Sequence, residues 1–109
     1  MRVRLYQVRE DAAPNLLFRS REAFRDQYGE HIPAEVYRKV FDGDLAVKDP
    51  EQVFVMFNTA HPEGYSGRSM SVSDVVEFAE EGSFYFCDIF GFDRVQFSTK
   101  KGTEDGGKI

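Results

Sequence analysis

The chain has 109 residues, 41% of them hydrophobic, with eleven Phe, five Tyr, a single Cys and a formal net charge of −5. That length sets one domain, and the aromatic side chains supply enough burial for a core without staples. Cys87 alone excludes an intramolecular disulfide framework, no apolar run approaches membrane-spanning length, and the opening MRVRLYQVRE alternates charge where a signal peptide would be apolar, so a soluble cytoplasmic protein is expected.

Residues 1–8 alternate Val3 and Leu5 with Arg2, Arg4 and Tyr6, the period-two pattern of a strand. Residues 10–15, with Ala12, Ala13 and Pro14, read as a turn. Leu16 to Arg19 then suggests a second short strand, closing a hairpin. Ser20 is placed to cap a helix over 21–28, with Phe24 and Tyr28 on one face and Gly29 just past its end. Residues 35–41 favour a strand through Val36, Tyr37, Val40 and Phe41, and Asp42-Gly43-Asp44 is a turn signal.

Asp49-Pro50-Glu51-Gln52 gives the clearest local signal. Asp49 can cap, Pro50 suits the first helical position, and Gln52 takes the third place of a capping box. A helix over 50–58 follows and should stop before His61-Pro62, because the residue preceding a proline avoids helical backbone. Residues 62–70 read as a polar loop, and Ser71 and Asp74 have the spacing of a capped turn. Strands are expected over 75–78 and 84–90 around a hairpin loop at 79–83. Gly91 allows a bend, and Val95 and Phe97 mark a last short strand. Residues 98–109 have almost no apolar content and are expected to be a disordered tail to a domain spanning 1–97. The fold class is thus α+β, an antiparallel sheet of about four to six strands with two short helices.

Charge is unevenly spread. Residues 1–40 hold eight basic side chains against six acids, whereas residues 41–97 hold eleven acids against Lys48, Arg68 and Arg94. An acidic second half disfavours contact with a phosphate backbone and suits a basic protein partner, or simply a solvated surface.

No catalytic constellation emerges from the residues. Cys87 lies mid-strand among Tyr85, Phe86 and Ile89, where a buried apolar role fits better than a nucleophile. His31 and His61 stand apart from any metal-ligand spacing. Asp42, Asp44, Asp49 and Glu51 miss the calcium-loop pattern and suit a turn and a helix cap. Gly64, Gly67 and Arg68 match no phosphate loop. Tyr65, Phe84, Phe86 and Phe92 suit a core better than a base-stacking platform, which needs a basic groove beside it. Ser71, Ser73, Asp74 and Asp88 read as turn or interface residues. No cofactor or metal is expected.

The stretch GRSMSVSDVV at 67–76 resembles the YodL-like domain family, whose members carry a similar G-x-S-L-S-V-S-D-V-V, then a hairpin, then a strand ending Y-x-V-D-S-F-G-F. Here that ending is YFCDIFGF at 85–92, with Asp88 and Phe90-Gly91-Phe92 kept, and Met70 and Ile89 departing from the pattern. Asn58, His61 and Pro62 fit an N-x-x-H-P element, so the likeness covers about residues 2–97. Such domains occur in Firmicute bacteria, on conjugative elements and phages, with no associated catalysis. The resemblance implies a non-catalytic module of a mobile element that binds a host cytoplasmic protein, as in inhibition of a restriction or CRISPR nuclease. The alternatives are a nucleic-acid-binding accessory and a small enzyme. Direct nucleic acid binding and membrane association are not expected. The expected binding surface is the 61–70 loop, led by His61, Tyr65 and Arg68, with Glu77, Glu80 and Glu81 near the next hairpin, because loops held by a scaffold carry recognition and Tyr and Arg are frequent hot spots.

Overall fold

The structure is a computed structural model that describes residues 1–98; the expected tail falls, from residue 99 onward, outside the described residues. In chain order the elements are β1 (Arg2–Val8), α1 (Arg21–Tyr28), β2 (His31–Pro33), β3 (Tyr37–Asp44), α2 (Pro50–Thr59), β4 (Val75–Phe78), β5 (Ser83–Asp88) and β6 (Gly91–Ser98). They form one six-stranded sheet in the order β2-β6-β5-β4-β1-β3. All neighbours are antiparallel except β2 and β6, which run parallel through His31 to Pro33 beside Gln96 to Ser98. The sheet is therefore mixed and not purely antiparallel. Three residues carry no strand signal of their own, and their partner lies at the far end of the domain.

β2 and β3 are the two edges of this sheet, yet a single 3-10 turn, Ala34–Val36, joins them. So short a bridge forces the sheet to curl until its edges approach. Aromatic rings meet across the concave face: Tyr6 of β1 lies 4.9 Å from Phe97 of β6, and Tyr37 of β3 lies 5.2 Å from the same ring. Phe24 of α1 closes this interior, edge-on to Phe86 at 5.1 Å. α2 covers the convex face, where Val53 and Phe57 pack on Val3, Leu5, Val76 and Phe78. Alternation along β1 serves both layers, since odd residues face α2 and even ones face the concave interior.

Both helix caps follow the sequence. Ser20 Oγ accepts from the Ala23 N–H at 3.3 Å, and Asp49 Oδ1 accepts from the Gln52 N–H at 2.9 Å. The Gln52 side chain reaches back to the Lys48 N–H at 2.7 Å, one residue beyond the Asp49 N–H that a capping box would use.

Three other expectations are corrected. Leu16 to Arg19 is not a strand. Pro14–Leu16 is a 3-10 turn, and β1 is already paired on both sides by β3 and β4, leaving no edge for a local hairpin. Asp42-Gly43-Asp44 is not a turn but the end of β3, paired with Arg4, Val3 and Arg2. Residues 84–90 are not one strand. Asp88 Oδ1 accepts the Ile89 N–H at 2.9 Å, and Gly91 adopts φ 98°, so the chain reverses over Ile89 and Phe90.

Candidate functional site

The family-like stretch folds inward. Gln7, on the α2 side of β1, is buried and holds it. Its Nε2 donates to Tyr65 Oη at 3.2 Å, the Arg68 carbonyl at 2.9 Å and Asp74 Oδ2 at 3.0 Å, while its Oε1 accepts the Arg68 N–H at 3.1 Å. Asp74 Oδ2 also accepts from the Ser71 N–H at 3.0 Å, and its Oδ1 is buried without a partner among the described residues. Burial pushes the Asp74 carboxyl up to about 7, against the pull of the Ser71 amide, Gln7 and Arg68. Ser73 sits at φ 87°, held by Tyr37 Oη on its carbonyl at 2.7 Å, its own N–H to Cys87 at 2.9 Å and the Phe18 N–H on its Oγ at 3.2 Å. A non-glycine residue at such a φ persists because its surroundings over-determine it.

The residues expected to bind do not form one surface. Tyr65 folds back edge-on to Phe57 at 4.9 Å, with His61 exposed beside it at 5.0 Å. Arg68 donates to the Val8 carbonyl at 3.3 Å and covers the Phe18 ring at 5.3 Å. Glu77 is buried on the concave face, accepting from Arg4 at 2.8 Å and Tyr6 Oη at 2.7 Å. Glu80 and Glu81 are exposed on the β4–β5 hairpin, where the Ala79 N–H bonds the Arg2 carbonyl. Arg2 and Val8 are the two ends of β1, so this hairpin and Arg68 stand about 20 Å apart by strand rise.

The remaining candidates are taken up by the fold. Asp42 accepts from Arg2, Arg4 and Lys39, and the Arg2 bond leads in holding its carboxyl down at about 2. Burial pushes the Cys87 thiol up to about 12, unsuited to a nucleophile. Phe84 and Phe86 belong to the concave core, Tyr65 and Phe92 to the α2 side, so the four aromatics share no platform. Among the described residues no three His, Cys, Asp or Glu converge on a metal position. No helix there is long and apolar enough to cross a membrane.

A different surface stands out. The β5–β6 turn presents Ile89 at 61% exposure and Phe90 at 97%, and Val55 on the outer face of α2 is 59% exposed. Asp88 and Gly91 satisfy the geometry of the turn, so neither Ile89 nor Phe90 is needed to make it. A groove of about 320 Å³ separates this turn from α2, lined by Phe54, Val55, Ile89 and Phe92, and a second of about 640 Å³ runs along the other side of Val55 past Met56 and Val47. The sequence hid this surface because FYFCDIF reads as uninterrupted strand, and only the register Asp88 to Gly91 places Ile89 and Phe90 at a tip.

The fold is thus a curled mixed sheet with one helix on each face and an apolar turn beside the second. The YodL-like domain model matches residues 2–97, and the chain belongs to that family. Neither the curated proteins nor the solved structures provide a significant match.

Proposed function

We propose that this YodL-like domain is a non-catalytic protein-binding module, working in a mobile-element setting on a host cytoplasmic protein. The supporting observation is the Ile89-Phe90 tip, where two large apolar side chains stand in water although the turn does not require them. Contiguous exposed apolar surface on a soluble domain marks interaction sites. Inhibition of a host nuclease is the expected outcome of such binding. A photo-crosslinking phenylalanine analogue at position 90 tests the reading in host cytoplasm. It should trap one protein at this position and not from Gln96, exposed elsewhere on β6. Equal trapping from both positions, or none from Phe90, would count against it.

A second reading, contact with nucleic acid, draws on a groove of about 430 Å³ lined by Arg9, Arg38 and Arg68. Arg9 is already paired with Asp11 at 3.1 Å, and Glu10 also lines the groove, which weakens its field. A steep salt dependence of DNA binding, lost in Arg38→Ala, would favour this reading.

A further inference from the structure

The two grooves share one ridge. Glu51 and Val55 line both, one turn apart on the exposed face of α2, and Ile89 and Phe92 wall the far side of the smaller groove. Their floors are apolar, and their charged lining is of one sign: Asp49, Glu51 and Asp88, with no Lys or Arg in either groove. Four carboxylates elsewhere in the described residues are matched by cations. Asp42 has Arg2, Arg4 and Lys39; Glu77 has Arg4; Glu30 has Arg21 and Arg25; Asp11 has Arg9. None of the three groove carboxylates has an ion-pair partner among the described residues. Asp49 and Asp88 accept only backbone N–H groups, which leaves their charge in place.

We infer that this shelf takes a cationic amphipathic segment of a partner protein, resting on the protein-binding reading above and naming the chemistry of the occupant. Apolar side chains of the segment fill the grooves on either side of Val55, and its Lys or Arg side chains meet Glu51 and Asp49 at the rim. Phe90, beyond the floor, closes over the segment from the turn. The carboxylate rim repels an anionic membrane and also a second copy of the same shelf, so neither is the occupant favoured.

The inference is tested with two synthetic helical peptides of the same length and apolar pattern, one built of Leu and Lys, the other of Leu and Glu. The intact protein should bind the Leu/Lys peptide, with affinity falling as salt is raised, and should not bind the Leu/Glu peptide. Phe90→Ser and Glu51→Lys should each weaken the Leu/Lys peptide by about tenfold or more at an unchanged melting temperature. Equal affinity for the two peptides, no affinity for either, or insensitivity to both substitutions overturns the inference. So does a dimer in sedimentation that Phe90→Ser abolishes, or stronger association with anionic vesicles than with the peptide. If crosslinking from position 90 still traps one protein while the Leu/Lys peptide fails, the binding reading stands and the cationic occupant falls. If both fail, the shelf is not a binding surface.

Discussion

The 61–74 stretch and the β5–β6 turn break the usual relation between chemistry and exposure in opposite directions. The first is polar, yet its Gln7–Asp74 hub is buried; the second is apolar, yet Phe90 stands almost wholly in water. Burial of polar groups stabilises only when each is hydrogen-bonded, so the hub serves to define one loop conformation. Exposure of a large apolar side chain gains the fold nothing. A motif rich in Ser, Asp and Arg thus serves architecture here, and the residues free to serve something else are the ones that look like core.

Gln7 holds the buried hub together. Gln7→Ala removes four contacts from a buried site and strands Asp74 Oδ2 with one donor, so it should destabilise by about 3 kcal/mol or more in chemical denaturation. A loss below about 1 kcal/mol would mean that the loop is held by something else.

Asp74 gives the contrast a pH dependence. Its carboxyl is raised in the fold from an ordinary 3.8 to about 7, so the folded state retains a proton that the unfolded chain releases. Its contribution to stability is full below 3.8 and is lost as pH rises through about 7. Stability measured across that window should fall with rising pH more steeply in the parent than in Asp74→Asn. Identical slopes would show that the carboxyl is not buried as described.

Gly67 tests how tightly the loop meets β1 and β3. A Cβ there would lie 2.5 Å from Gln7 Oε1 and 2.9 Å from Val40 Cβ, so Gly67→Ala should cost about 2 kcal/mol through displacement of the hub. A smaller effect is expected at the second helix, where Asp49→Ala removes one cap and should cost about 1 kcal/mol with the denaturant slope unchanged.

Local chemistry made both helices legible. Ser20, Asp49 and Pro50 act within a few residues of themselves, and the structure follows them to within a residue. What was not legible depends on distant partners. β2 is a strand only because β6 lies beside it, and residues 42–44 extend β3 only because β1 pairs with them and Arg2 and Arg4 neutralise Asp42. For the candidate site, spacing alone placed Glu77 with Glu80 and Glu81, but strand alternation turned Glu77 into the concave face toward Arg4. The family likeness was readable at 67–76 and 85–92. That Ser73 and Asp74 of its first half are buried and Phe90 of its second half exposed required the register of the sheet.

The measurement that bears most directly on the contrast pairs melting temperature with Leu/Lys peptide affinity in two variants, Phe90→Ser and Gly67→Ala. Phe90→Ser should leave the melting temperature within experimental scatter and weaken the peptide by about tenfold or more. Gly67→Ala should lower the melting temperature by about 10 °C, what a loss of about 2 kcal/mol gives in a domain of this size, and bind the peptide like the parent while folded. If Phe90→Ser melts early and binds normally, the exposed turn belongs to the fold and the account is wrong.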